Sequence, residues 1–151
     1  MSATARIRRA RTTDLPAILE LERLFPGDRM SRRSLRAFLA SPRAAIWVVD
    51  QSASLAGALV LLTRRNSRYA RIYSVVVAPA ARGRGLARRL IGVAEREARR
   101  RGCAGMSLEV RADNHAARAL YAQLGYRETL ALSGYYEDGA PGLRLQRQFG
   151  G

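Results

Sequence analysis

The chain has 151 residues, 48% of them hydrophobic, enough for a real core in one domain spanning residues 1–151 and too few for two. Its formal net charge is +15, every one of its 27 basic residues is arginine, and it holds one cysteine, Cys103. This composition excludes a disordered or fibrous chain and an internal disulfide, and no apolar run approaches the roughly 20 residues of a membrane span. The first residues lack the apolar core of a secretory signal, so a cytoplasmic location is expected. The arginine field attracts polyanions. Its charge is scattered from Arg6 to Arg101, however, and complete replacement of lysine by arginine reads as a codon bias. With no recognisable binding module, direct nucleic-acid recognition is not expected.

A short polar–apolar alternation around Ile7 predicts a first strand. Thr12-Thr13-Asp14 offers N-caps to a helix with Pro16 in its first turn and Leu15, Ile18 and Leu19 on one face, ended by Phe25-Pro26-Gly27-Asp28. Ser31 can cap a second helix bearing Leu35, Phe38 and Leu39, closed by Ser41-Pro42. A strand over 44–50 turns through Gln51-Ser52-Ala53-Ser54 into another over 55–63, and a polar loop, Arg64 to Arg68, leads to a third strand ending near Ala78. A long amphipathic helix follows Gly85, with Leu86, Leu90, Val93, Ala94 and Ala98 inward and Arg89, Arg96 and Arg100 outward, stopped by Gly102. Met106 to Val110 reads as a buried strand, Asp113-Asn114 starts a helix ending at Leu124-Gly125, and 126–132 and 143–148 are the last strands. The order β-α-α-β-β-β-α-β-α-β-β implies an α/β fold: a mixed sheet of about seven strands flanked by helices.

The most informative segment runs from Ile72 to Arg101. A β-branched strand, Ile72-Tyr73-Ser74-Val75-Val76-Val77, delivers the chain past Pro79 into Arg82-Gly83-Arg84-Gly85-Leu86-Ala87 at a helix N-terminus. Such a turn aims backbone N–H groups at phosphate. Glycine is needed there because a Cβ would block close approach and many of the required backbone angles. No Lys-Ser/Thr follows, as a P-loop would need, and the glycines miss the dinucleotide spacing.

The spacing matches Arg-x-x-Gly-x-Ala, the acetyl-coenzyme A signature of the GNAT N-acetyltransferases, and the chain resembles that superfamily. The resemblance continues through Leu108-Glu109-Val110-Arg111-Ala112-Asp113-Asn114, Ala116-Ala117-Arg118-Ala119-Leu120-Tyr121 and Leu124-Gly125-Tyr126. Together with Tyr135-Tyr136, these strings are most similar to the ribosomal-protein N-terminal alanine acetyltransferases. The resemblance implies acetyl-coenzyme A as cosubstrate and direct transfer of acetyl to a primary amine. It places Val75, Val76 and Val77 along the pantetheine arm, and one of their N–H groups against the thioester carbonyl. Arg82, Gly83, Arg84, Gly85, Leu86, Ala87 and Arg88 would surround the pyrophosphate, and Asn114 would touch the cofactor as well as cap its helix. Tyr121 matches the acid that protonates the departing thiolate, and Glu109 the general base, acting directly or through water. Tyr135 and Tyr136 fall where related enzymes hold the acceptor's first residues.

Elsewhere the chain departs from that pattern. Ala140-Pro141-Gly142 replaces an acidic-alanine stretch, and only Phe25-Pro26 survives of the usual loop between the first two helices. Both segments border the acceptor. A protein or peptide α-amine is the expected acceptor, with a lysine or small amine as the alternative. A ribosome- or nucleic-acid-associated module on the same scaffold is the reading from another class. Either a monomer or a homodimer fits. His115 and Cys103 are expected to be structural, and no His/Cys/Asp/Glu cluster has metal-ligand spacing, so no metal is expected.

Overall fold

The computed structural model describes residues 5–25, 30–51 and 54–150. The expected turn at Ser52-Ala53 and the helix stop at Pro26-Gly27-Asp28 lie outside them. Strand β1 (Arg6–Arg9) leads through a 3-10 turn at Thr12–Asp14 into helix α1 (Leu15–Glu22), and α2 (Arg32–Ala40) follows. Then come β2 (Ala44–Gln51), β3 (Ser54–Leu62) and β4 (Tyr69–Val77), a 3-10 turn at Pro79–Ala81 and α3 (Leu86–Arg100). The chain continues with β5 (Gly105–Arg111), α4 (His115–Gln123), β6 (Arg127–Leu132) and β7 (Gly142–Gln148). These are the elements expected, in the expected order. The seven strands form one mixed sheet, β1-β2-β3-β4-β5-β7-β6, in which only β4 and β5 run parallel.

Local chemistry explains most boundaries. Ser31 accepts the Ser34 N–H at 3.0 Å and starts α2, and Asn114 accepts the Ala117 N–H at 3.1 Å and starts α4. The N-terminal caps of α1 differ from expectation. Thr12–Asp14 forms its own 3-10 turn, and no side chain caps α1. The Asp14 carboxylate instead takes Arg8 in a two-pronged pair at 2.8 and 2.9 Å and the Arg11 N–H at 2.7 Å. A guanidinium on β1 outcompetes the helix end because two charge-assisted bonds outweigh one cap.

Two apolar layers sandwich the sheet. On one face Leu86, Leu90, Ile91, Ala94 and Ala98 of α3 pack with Tyr121 of α4 against Trp47, Leu59, Leu61, Ile72, Met106 and Leu108. Ile91 joins the expected inward stripe, while Val93 is only half-buried. On the other face Leu15, Ile18 and Leu21 of α1 and Leu35 of α2 cover Ile46, Val48, Val60 and Val76. Each fully buried leucine or isoleucine contributes roughly 1.5–3 kcal/mol. Among the described residues no helix is long and apolar enough to cross a membrane.

Candidate active site

The sheet opens where β4 and β5 part. Their pairing runs only from Tyr69 opposite Gly105 to Ile72 opposite Leu108. At the same place the β3–β4 register slips: Val60 faces Ser74 and Leu61 faces Ile72, so Tyr73 is an extra residue. A bulge of this kind bends its strand. Beyond it, Ser74 to Val77 stay bonded to β3 while no strand of the described residues lies along their other edge. The Ala78 N–H points to Ala56 O of β3 at 2.8 Å, and strand alternation therefore turns the N–H groups of Val75 and Val77 toward the opening. Val76 packs its side chain beneath α1, while Val75 and Val77 lean toward the α3 layer. A cavity of about 230 Å³ fills the opening, lined by Ser74, Val75, Glu109, Asn114, Tyr121 and Tyr136 among others.

The glycine-rich loop stands at the far end of this edge. Gly83 and Gly85 have φ of +83° and +71°, and a Cβ on either would meet nothing within 4 Å. The loop thus needs a conformation side chains resist, and its outer face is open. Gly85 precedes α3 with no side-chain cap, so the first-turn N–H groups of a 15-residue helix are left to face an anion. Arg82, Gly83, Gly85, Leu86, Ala87 and Arg88 line a hollow of about 200 Å³ there; Arg84 is not in its wall. Leu86 is 2% exposed and anchors the helix. The Arg82 guanidinium lies 5.6 Å from the Phe25 ring centre, and Arg88 bonds Gln123. An open cradle of donors with cations at its edge is what a pyrophosphate requires, so the residues present fit coenzyme A.

Tyr121 is 3% exposed and reaches the cavity between the strands from α4. Its hydroxyl has no hydrogen-bond partner among the described residues. Burial pushes the phenol well above its ordinary range, which keeps it protonated until a stronger base arrives. Its ring meets Tyr126 edge to face at 5.3 Å. Tyr126 is in turn fixed by Glu95, which accepts its O–H at 2.7 Å and an Arg147 N–H at 2.8 Å. Asn114 lines the same cavity; with its Oδ1 committed to the cap, its amide N–H groups are left for a ligand.

The side expected to take the acceptor is assembled from five segments: α1, β4, β5, β7 and the β6–β7 loop. Glu109 of β5, with a side chain 6% exposed, receives Arg71 Nε at 2.8 Å and Arg144 Nε at 3.3 Å. The Tyr135 hydroxyl donates to Glu109 Oε1 at 3.4 Å and accepts from Arg71 at 3.3 Å. Tyr135 and Tyr136 stand edge to face at 5.0 Å, and the Arg111 guanidinium lies 5.0 Å from the Tyr136 ring centre. Arg111 itself is held by Asp138 at 2.7 Å. The expected base and both expected tyrosines therefore share one site, joined by two arginines. A second carboxylate shares it too. Glu22, at the end of α1, is buried, and Glu22, Ser74, Glu109, Tyr135 and Tyr136 all line one cavity of about 180 Å³. Glu22, Arg71, Ser74 and Arg144 are absent from the sequence-based expectations. Only Glu22 carried a signal: it falls on the helical stripe of Leu15 and Ile18, where a carboxylate has no packing reason to be.

The two cavities share Tyr73, Ser74, Glu109 and Tyr136, so the acceptor side opens directly onto the β4 edge. Comparison with known proteins agrees with this geometry. The family model for the acetyltransferase (GNAT) family matches residues 15–126. The [ribosomal protein bS18]-alanine N-acetyltransferase of Escherichia coli (strain K12) is 32% identical over 125 residues, covering 83% of this chain and 82% of that protein. The solved structure of the ribosomal-protein-S18-alanine N-acetyltransferase from Escherichia coli superposes with a TM-score of 0.86 at 27% identity, covering 98% of this chain and 97% of that one. Ard1 from Thermoplasma volcanium shares the fold, with a TM-score of 0.89 at 22% identity and coverage of 97% and 99%. The chain belongs to the acetyltransferase (GNAT) family and is an N-acetyltransferase whose acetyl donor is acetyl-coenzyme A.

Proposed function

We propose that the acceptor is the N-terminal α-amine of a protein or peptide, acetylated by direct attack on the thioester. The observation that carries this reading is the slot formed by Tyr135 and Tyr136. It lies beside two carboxylates and opens onto the free edge of β4, where an extended chain can lay its first residue. The relatives acting on the alanine terminus of ribosomal protein bS18 support it. So does amine chemistry: an α-amine has a pKa near 8 against about 10.4 for lysine, so less work exposes its lone pair.

In this reading Val75 and Val77 bond the pantetheine arm and polarise the thioester carbonyl through backbone N–H groups. The loop from Arg82 to Arg88 and the start of α3 hold the pyrophosphate, and Asn114 adds a side-chain amide. Tyr121 gives its proton to the departing sulfur. The family resemblance assigns the amine's proton to Glu109, directly or through a water. We set the reaction in the cytoplasm, since a single cysteine, Cys103, can form no internal disulfide and suits a reducing compartment.

The test is a matched pair of peptides, one with a free N-terminus and no lysine, the other N-blocked with a single lysine, followed by thiol release. Faster acetylation of the free N-terminus is the expected result. Faster acetylation of the blocked lysine peptide, or of a small amine over both, would reject the α-amine assignment.

A further inference from the structure

We propose that the groove between β1 and α3 is a docking site for an extended acidic segment of a partner protein, which adds as a strand to the free edge of β1. The groove opens on the α3 side of the sheet, and β2 and β3 separate β1 from the open edge of β4. A segment seated there stands clear of the acceptor slot, whichever amine that slot takes.

Charge that is scattered along the sequence converges in this groove. It encloses about 990 Å³, six of its eleven lining residues are arginine, and none is acidic. Arg8 is held by Asp14 and Asp50. Arg9, Arg89 and Arg96 are exposed and pair with no carboxylate among the described residues. The sequence before Ala5, Met1-Ser2-Ala3-Thr4, contains no acidic residue that could serve them. The Arg9 guanidinium lies 5.3 Å from the Trp47 ring centre, and Arg89 reaches Ala5 O at a long 3.5 Å. A carboxylate offers Arg89 a stronger bond than that neutral carbonyl. Like charges gathered without a counter-charge repel one another, and an anion seated among them relieves the cost.

The backbone selects the kind of anion. β1 is an edge strand. Ala10 donates to Ile46 O at 2.8 Å, so alternation turns the N–H and C=O groups of Ile7 and Arg9 away from β2. Arg8 bonds Arg9 O at 3.2 Å, while Ile7 N–H, Ile7 C=O and Arg9 N–H have no strand beside them among the described residues. Ala5, Ile7 and Val93, each packed partly against the α3-side core, give the groove an apolar floor. An extended polypeptide meets all of these features together. Its main chain bonds the edge, an apolar side chain covers Ile7 and Val93, and carboxylates two residues to either side on the same face reach Arg9, Arg89 and Arg96. A single-stranded nucleic acid would match the charge alone. Its bases need exposed aromatic faces, and the one aromatic residue in the groove, Trp47, is 6% exposed.

The probe is a fluorescent, N-blocked peptide, Glu-Thr-Glu-Thr-Val-Thr-Glu-Thr-Glu, which has no amine to acetylate. Anisotropy should show saturable binding that weakens with salt, and amide hydrogen exchange should slow at Ile7 and Arg9. A peptide of the same composition with its glutamates contiguous should bind about tenfold more weakly, since the charge is kept and the alternation lost. Arg89→Gln with Arg96→Gln should weaken binding of the alternating peptide by about tenfold or more. Arg64→Gln with Arg65→Gln removes the same charge from an exposed loop outside the groove and should leave binding unchanged. Thermal melts check that both variants are folded, and both should acetylate the best acceptor amine with the kcat of wild type. Absence of saturable binding would overturn the docking site and leave the arginines as guards of a free edge. Equal binding of the contiguous peptide, an equal loss in the loop variant, unslowed exchange at Ile7 and Arg9, or tighter binding of oligouridine would overturn it in favour of a general polyanion surface. Displacement of the peptide by coenzyme A would give the arginines to the cofactor, and binding seen only after removal of the segment before Ala5 would give the groove to the chain's own first residues; either result overturns the proposal.

Discussion

In the proposed reading, the donor and acceptor halves of this site are built from different materials. The donor half is backbone: the free edge of β4, a loop with glycines at φ +83° and +71°, and the start of α3, all within one stretch of about 30 residues. The acceptor half is side chains: Glu22 from α1, Arg71 and Ser74 from β4, Glu109 from β5, Tyr135 and Tyr136 from the β6–β7 loop, and Arg144 from β7. Backbone geometry tolerates few alternatives, so it leaves a short motif. A side-chain cluster can be rebuilt from many residue combinations, so the same scaffold can change its acceptor without changing its donor. Tyr121 stands between the halves, on α4 and beside both.

Substitutions can break that division, and the largest effect should come from the backbone half. In Gly85→Val a β-branched residue must adopt a left-handed conformation and present its side chain on the open anion face. The protein should fold, yet calorimetry should register no acetyl-coenzyme A binding. Near-normal affinity would remove the loop from the site. Next in size, Tyr121→Phe should lower kcat by roughly 10²–10⁴-fold with coenzyme A affinity unchanged, because only the hydroxyl is removed from a ring held by packing against Tyr126. An unaffected kcat would return Tyr121 to a purely structural role.

Smaller effects sharpen the comparison. Arg71→Met strips one cation from Glu109 and the donor from Tyr135, leaving Arg144 as partial compensation, so stability should drop by about 1–3 kcal/mol. Peptide KM should rise while coenzyme A affinity stays put; a matching fall in coenzyme A affinity would mean that the halves are not separable. The smallest concerns Asn114. Asn114→Ala should cost about 1 kcal/mol through the lost cap. Asn114→Ser keeps a capping oxygen but lacks the amide donors, so thermal melts near wild type with weaker coenzyme A binding would separate the two duties. Equal binding in Asn114→Ser would leave Asn114 with the cap alone.

The parts legible in the sequence are those with a local cause. Alternation and helical stripes located the seven strands and four α-helices of the described residues, and Ser31 and Asn114 mark starts that their side chains do cap. The α1 start was misjudged because Asp14 had a better partner six residues back, in Arg8, and residue type alone does not show which bond wins. Val75, Val77, Asn114, Tyr121 and the glycine loop without Arg84 line the opening or the loop hollow, while Val76 turns to the α1 layer. Glu22 was visible only as a misfit, a carboxylate on an apolar stripe.

What the sequence by itself determined is therefore the fold, the family and the glycine-rich turn before α3, since hydrophobic period, β-branching and glycine placement act over a few residues. Tertiary structure alone decided which carboxylate has company. Glu109 meets Arg71 across the β4–β5 pair, 38 positions away, and Arg144 across β5–β7, 35 away; Glu22 meets Ser74, 52 away, and no arginine among the described residues. The charge state and reach of a carboxylate depend on desolvation and on the nearest opposite charge. Both are fixed by which strands and helices come to lie side by side, and a bulge at Tyr73 with a sheet that parts beyond Ile72 sets that arrangement here.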